Sequence, residues 1–561
     1  MSKLDELNYW GLRGIQEEQK VQDGASVVEK KVIKAYISSQ KYLTNEANKL
    51  YSRYLSKTDM SELAVKRVLN ESVAPAQLIE LQHMIKTTKD IEIKKQMQDY
   101  LNGLAVKARI TRLEELKAKS YLAAKQLADV QQRAQTDYYI DVINDAYKNA
   151  SVEGIIQNNL TTPTKRKVEF TDSDKKKVAH SIETVSDKPI TEFKELSTRY
   201  VKNILDTNWQ GSNYSKRIWG DTDQLAKKLE DLFTVKELSG MSQRDMVKSL
   251  RKTFDVSTGV ASRLIRTEAN YVANQAKLKG WKEHGVKQYI LIAVLDLRTS
   301  TICREKDHKV YDVDKAVCKG KDGNYPPFHP WCRTIAVAYF EGISLDGKRT
   351  VNDPITGKTF TMSEDSDYKD WEQALIHKHS KEELDNKAVM VKNFKSNLAQ
   401  YKRMKSLIGS ENTPETFDKF QDIKYNKDSE WEQLRLKMNL QKLLDKGSLR
   451  LDINQDKQLR HELNHESYRV YAENNKIKGK PIPSYFKTNV SDIQNIVNKH
   501  YLSGEIQRRN PGQYAAIIEI DKNNLAMAYS NDGASSRATN RFKIHISKNT
   551  THVVPMYPKE G

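Results

Sequence analysis

Apart from Pro75, the first 150 or so residues contain no proline, and Lys, Glu, Gln, Leu and Ala dominate them. Proline removes a backbone donor and clashes with the preceding turn, so a stretch without it has little to stop a helix. Long helices are expected here. In the clearest stretch Leu113, Leu116, Ser120, Ala123, Leu127 and Val130 recur at alternating spacings of three and four, which draws a narrow apolar seam along one helix face. Ser120 and Ala123 thin the seam, and the heptads stop after about three repeats. The expected partner is therefore another helix of the same chain, in a bundle.

The pattern breaks at "NNLTTPTKRKVEF" and resumes from about 190 to 250, where "TVKELSGMSQRDMVKSLRKTF" shows a Gly-centred turn and a Ser cap. In "VASRLIRTEANYVANQAKLKGWKEHGV", Ile265, Ala269, Val272 and Ala276 share one face, which predicts an amphipathic helix ending near Gly285. "QYILIAVLD" reads as an apolar strand, and a loop-rich stretch leads to a second strand at "RTIAVAYF". Residues 343 to about 425 are highly charged, with few large apolar side chains; they read as a hairpin, "SLDGKRTVNDPITGKTFTMS", followed by solvated helices. Beyond about 445, strands and turns alternate. The expected fold class is multidomain α+β, mainly helical in its N-terminal half. It comprises a helical region over 1–199, a small α+β module over 200–342, a charged insert and helical spacer over 343–444, and a C-terminal α+β domain over 445–561.

The 561 residues carry 93 Lys and Arg against 74 Asp and Glu, a formal charge of +19. That balance favours polyanions such as DNA, RNA or an acidic protein surface, although solvated lysine-rich helices carry similar charge without binding anything. No apolar run is long enough to span a bilayer, and "MSKLDELNYWGLRG" lacks the apolar core of a signal peptide. A soluble protein made in the cytoplasm is expected. The three cysteines, Cys303, Cys318 and Cys332, argue against a secreted disulfide scaffold. Cys303, His308, His329 and Cys332 give C-x4-H and H-x2-C, and thiolates and imidazoles at four positions suit a closed, structural zinc site. The same spacing suits a rigid proline turn, "YPPFHPWCR", that merely brings Cys303 near Cys332 or, in oxidising medium, lets them bridge.

"LIRTEANYVANQAKLKGWKEHGV", "AVLDLRTSTICREKDHKVY" and "YPPFHPWCRTIAVAY", in that order, resemble the signature of the MuF-type phage head morphogenesis proteins, over about residues 200 to 342. The resemblance implies a minor head protein of tailed phages. Such a protein is bound in low copy to the portal protein, inside the virion near the portal vertex, and takes part in head assembly and in DNA packaging and ejection. Its pattern falls on Arg266, Thr267, Glu268, Asp296, Thr299, Cys303, His329, Pro330, Cys332 and Arg333, which it implies are fold determinants. A basic chain among packaged phage DNA has a physical rationale, because Lys and Arg contacts to phosphate release counterions without reading sequence.

In "RFKIHISKNTTHVVPMYP", Phe542, Ile544 and Ile546 alternate with Arg541, Lys543, His545 and Ser547, so a strand sends the first set into a core and the second to the opposite face. "HVVPMYP" reads as a second strand pairing back across "KNTT", which brings His552 near His545 and Ser547. Upstream, "DINQDKQLRHELNHESY" adds Arg460, His461 and His465. Metal-independent RNA cleavage needs a general base, a general acid and fixed cations, and imidazoles suit the first two roles. A polar strand face that binds nucleic acid passively draws on the same residue types.

"NQDKQLRHELNHESY", "SDIQNIVNKHYLSGE" and "ATNRFKIHISKNTTHVVPMYP" resemble the successive motifs of polymorphic toxin type 50, a predicted RNase domain of the barnase, EndoU, colicin and RelE-like class, over about 445 to 561. The family pattern matches Thr539, His545, Ser547, Lys548, His552, Val553 and Pro555, with Gln458, Arg460 and His461 upstream. The resemblance implies RNA as substrate, no cofactor for the RNase and an immunity protein as a further partner. His461 and His552 are expected to exchange protons as base and acid, in either order, with His545, Lys548, Arg460 and Lys543 on phosphate and Thr539 orienting it. Arg541, Lys543 and Gln458 are the expected nucleic-acid contacts. The rival expectation is a structural, DNA-binding virion protein whose C-terminal domain is catalytically inactive.

Overall fold

The proline-poor region forms two helices of nearly fifty residues, α1 (Leu7–Leu55) and α5 (Arg112–Asn159), with α2 (Glu62–Leu69), α3 (Pro75–Thr87) and α4 (Ile91–Ala105) between them. The computed structural model describes residues 6–55, 62–107, 110–159, 164–171, 177–184, 196–340, 343–345, 347–510, 512–521, 525–530, 532–548 and 550–558. Position 342, the expected end of the second segment, and Asn549 of the terminal turn lie outside them. The chain divides into two compact units, Met1–Lys378 and His379–Gly561. No helix among the described residues is long and apolar enough to cross a membrane.

In the first unit an antiparallel hairpin, β1 (Thr164–Thr171) and β2 (Lys177–Thr184), is followed by α6 (Thr198–Asp206), α7 (Tyr214–Leu232), α8 (Val235–Gly240) and α9 (Gln243–Glu283). Ser242 caps α9 by accepting the Asp245 amide, and the helix ends at His284 just before Gly285, whose φ is +77°. Leu116, Ser120, Ala123 and Leu127 of the expected seam are buried, but so are Leu122 and Ala128, because α5 is flanked by α1, α7 and α9. The seam's partner is thus intramolecular, and the apolar surface is broader than the heptad pattern drew it. Gly280 lets α9 approach α5: a Cβ there would stand 2.8 Å from Ala150 Cβ and 2.9 Å from the Tyr147 carbonyl. One core runs from Ala25 of α1 to Ala276 of α9, so residues on both sides of the expected 199/200 boundary pack together.

Beyond α9, β3 (Gln288–Ile292) lies between β4 (Val310–Asp312) and β5 (Ile335–Tyr339), antiparallel to both, with α10 (Thr301–Lys306) in the connecting loop. The expected hairpin forms β6 (Lys348–Asn352) and β7 (Thr359–Ser363), and α11 (Tyr368–Lys378) closes the unit.

The second unit begins with α12 (Lys381–Lys392), α13 (Phe394–Ile408), α14 (Phe417–Asn426) and α15 (Asp428–Asp445). The solvated spacer expected here is in fact part of a core. Met404, Ile408, Phe420, Ile423, Leu434 and Leu440 are buried in one cluster with Phe486, Ile493, Ile506 and Ile544. The chain continues through α16 (Gln455–Gln458), a 3₁₀ turn (Leu459–His461), α17 (Glu466–Ile477), β8 (Tyr485–Phe486) and α18 (Val490–His500). Six strands follow: β9 (Glu505–Asn510), β10 (Gln513–Glu519), β11 (Ala526–Tyr529), β12 (Ser536–Thr539), β13 (Arg541–Ser547) and β14 (His552–Pro555). They make antiparallel sheets of order β14-β13-β10-β9 and β12-β11-β8.

Both edges of the four-stranded sheet are closed by glutamine side chains. Gln458 Nε2 donates to the Val553 carbonyl (3.1 Å) and its Oε1 accepts from the Val553 amide (2.7 Å). Gln433 of α15 does the same for Ile506 of β9, at 3.2 and 2.8 Å. Each carboxamide supplies one rung of the ladder that a neighbouring strand would otherwise complete.

Candidate functional site

Strand alternation behaves as the sequence requires: Phe542, Ile544 and Ile546 are buried, and Lys543, His545 and Ser547 take the other face of β13. The antiparallel register sets His545 directly opposite His552. Their rings stack, with centroids 4.7 Å apart and planes 11° from parallel. His461 ends the 3₁₀ turn, its Nδ1 2.8 Å from the Ser484 carbonyl and its ring edge-on to Tyr471 at 6.0 Å. A carbonyl only accepts, so Nδ1 carries the proton and Nε2 keeps the lone pair.

Burial is the main reason that His545 and His552 are both pushed down to about 4. Arg509 and Lys543 then add to the shift at His545, and His545, His461, Lys457 and Arg460 add to it at His552. Burial, and then Arg460, lowers His461 as well, against the opposing Ser484 carbonyl. His552 Nδ1 is buried without a hydrogen-bond partner, which further disfavours the doubly protonated ring. At neutral pH the site is two neutral, stacked imidazoles, with a third in electrostatic range, in the field of several cations. It is arranged to receive an anion.

Of the residues singled out in the sequence, His461, His545 and His552 come within electrostatic range of one another, with Arg460 acting on His461 and His552 and Lys543 on His545. Two others have different work. Gln458 is fully buried and spends its carboxamide on Val553, so it positions the strand of His552 and has no group left for nucleic acid. Thr539 is 3% exposed and its hydroxyl donates to the Met556 carbonyl (2.7 Å), so it ties the chain after β14 to the end of β12 and is not free to orient a phosphate. Lys548 is exposed in the turn one residue past β13, Arg541 stands opposite Glu519, and the Ser547 hydroxyl closes the turn on the Thr550 carbonyl. Lys457, Arg509, Tyr471 and Ser484 were not singled out in the sequence. Lys457 and Arg509 were visible there only as basic neighbours of Gln458 and of strand β9.

In the first unit, Cys303 Sγ lies 3.1 Å from His329 Nε2 and 3.8 Å from Cys332 Sγ, and the three ligand atoms fall within 4.8 Å of one another. The hydrogen bond from Cys332, and then that from His329, pulls the Cys303 thiol down to about 4, while Cys332 is raised. His308, expected as the fourth member, does not join them. Helix α10 stops at Lys306, and His308 follows at a φ of +58° with its Nε2 3.2 Å from the Glu364 carbonyl. The remaining signature residues hold the fold. Asp296 takes a two-pronged bond from Arg333 (2.6 and 2.7 Å), Glu268 accepts from Trp209 Nε1 (2.8 Å) and pairs with Arg217, and Arg266 bonds Glu29, Gln22 and Ser26 of α1.

Residues 453–555, which contain all three imidazoles, match the family Bacterial toxin 50, and residues 227–337, which contain Cys303, His329 and Cys332, match the family Phage Mu protein F like protein. The chain joins a MuF-type module to a toxin 50 domain. A curated relative, the NAD(+)–arginine ADP-ribosyltransferase EFV of Enterococcus faecalis, is 24% identical over 183 residues, covering 31% of this chain and 36% of that protein. The chain therefore spans about a third of that relative's length. No solved structure matches. Helices α12 to α15 precede the toxin match, yet α13 to α15 contribute to the same core.

Proposed function

We propose that this virion protein sits on the portal protein near the portal vertex, among the phage DNA, and that its toxin 50 domain is a metal-independent endoribonuclease delivered with that DNA into the next host. The MuF match supports the head role. The observation that carries the enzymatic reading is the His545–His552 stack in a cationic field that also includes His461. A passive nucleic-acid surface has no use for three imidazoles held neutral by burial.

In this reading His461 Nε2 is the base, because the Ser484 carbonyl fixes its tautomer. It takes the 2′-hydroxyl proton, O2′ bonds to phosphorus, and the P–O5′ bond breaks. The leaving O5′ takes a proton from His552, giving a 2′,3′-cyclic phosphate and a 5′-hydroxyl. His552 is neutral in the free site, mainly through burial, and takes the proton it later donates from solvent when the phosphate anion binds and offsets the surrounding cations. Lys457, Arg460 and Lys543 stabilise charge on the phosphate.

The test is incubation of the full chain with total RNA in EDTA. Cleavage with cyclic phosphate ends is expected, falling by about 10²–10⁴ in His461→Ala and in His552→Ala, with the double variant little worse than either. Intact RNA together with salt-sensitive DNA binding sinks the reading in favour of a structural, DNA-binding protein. An immunity protein in this scheme covers the imidazole face.

A further inference from the structure

We propose that Cys303, His329 and Cys332 bind one zinc ion, with a water as the fourth ligand, and that the metal fastens the turn "HPWC" to α10. With Zn–S bonds near 2.3 Å, a regular tetrahedron separates two ligating sulfurs by about 3.8 Å. The Sγ atoms of Cys303 and Cys332 are 3.8 Å apart. A disulfide needs those atoms at roughly 2.0 Å, so the spacing already suits the metal better than the bond. The expected S···N edge is about 3.5 Å, and a small rotation of His329 supplies it from 3.1 Å.

The surroundings are those of a ligand set. His329 Nδ1 lies 2.7 Å from the Pro330 carbonyl and must donate to it, so that Nε2, the atom beside the sulfurs, is the one that gives up its proton to solvent and turns a lone pair to the metal. Main-chain amides of Phe328 and Thr334 bond Cys332, and the Arg333 guanidinium, held by Asp296, acts on both sulfurs. Two thiolates neutralise a divalent cation, and their protons leave to solvent on binding. The turn itself is built tightly: Trp331 has a φ of +64°, and the Cys332 amide donates to the His329 carbonyl at 3.1 Å.

The fourth position follows from a void of about 20 Å³ lined by Cys303 and His329 together with Thr299, Trp331, Arg333 and Thr334. It has room for about one water. Thr334 is 1% exposed and its hydroxyl faces the Cys303 sulfur, with its lone pairs free to accept. A zinc-bound water would donate to it.

The full-length chain, purified without chelator under reducing conditions, should contain one equivalent of zinc. It should retain that zinc in Cys318→Ser and His308→Ala and lose it in Cys303→Ser and Cys332→Ser. Because those variants risk misfolding, cobalt replacement in the native sequence gives a second reading. A thiolate-to-cobalt charge-transfer band with tetrahedral visible absorption is expected. Absence of stoichiometric metal, or a mass short by two hydrogens that marks a Cys303–Cys332 disulfide in the reduced preparation, overturns the proposal.

Discussion

Replacing Gln458 by Leu keeps the side chain's bulk and removes its carboxamide. The side chain is fully buried, as is Val553, so the change strands one N–H and one C=O of Val553 away from water. An unmet buried group costs about 1–3 kcal/mol, so the pair should destabilise the C-terminal unit by roughly 2–5 kcal/mol, less whatever relaxation of an edge strand recovers. For a unit of this size that lowers its Tm by roughly 5–15 °C. Calorimetry of the full chain measures the shift, and hydrogen exchange localises it: the Val553 amide should lose protection while amides of β10 keep theirs. RNA cleavage should fall with it, because β14 carries His552. Gln458→Glu restores one of the two bonds and should be intermediate. The opposite pattern refutes the reasoning: RNA affinity lost with Tm and Val553 protection unchanged would make Gln458 the nucleic-acid contact its family position implied.

Lys457→Ala should weaken RNA binding across sequences and reduce the salt slope by about 1; an NMR titration should show His552 moving up from about 4, since one repelling charge is gone. Both His545 and His552 bind protons less well folded (about 4) than unfolded (6.5), so the unfolded chain is the more protonated between those values. Stability to urea should therefore be full above about pH 6.5 and decline toward pH 4, with a smaller decline in the double Asn variant. Glu268→Ala leaves Arg217 and Trp209 Nε1 without their buried partner and should cost the first unit about 3 kcal/mol. Glu268→Gln should recover part of that by keeping an acceptor for Trp209. A calorimetric transition unmoved by Glu268→Ala would contradict that assignment.

The terminal hairpin was legible because a period of two fixes which residues share a face, and the short turn fixes which oppose. His545 and His552 follow from those two facts alone. Gln458 and Thr539 were misread because alternation says where a side chain points and is silent about what lies there. Gln458 meets Val553 across ninety-five positions of chain, a pairing with no local trace. His308 was grouped with Cys303 on the C-x4-H spacing alone, but α10 ends at Lys306 and the chain turns away. The charged helices looked like a spacer because their apolar residues are sparse. Phe420, Leu434 and Leu440 are nonetheless enough to join a core whose other side is supplied by strands whose first buried residue is Phe486.

The Gln458 clip also fixes the register of the histidine pair. Val553 lies opposite Ile544, and its N–H and C=O point away from β13, where the carboxamide meets them; those of His552 and Val554 point into the ladder. A slip of β14 by one residue would set a wrong pair before the clip and turn a valine onto the face where the imidazole belongs. Gln458 thus checks alignment: only the chain that has threaded correctly gains its two bonds, and only that chain has the stacked histidines. On folding, the domain would reach either the aligned state or an unclipped one without the pair.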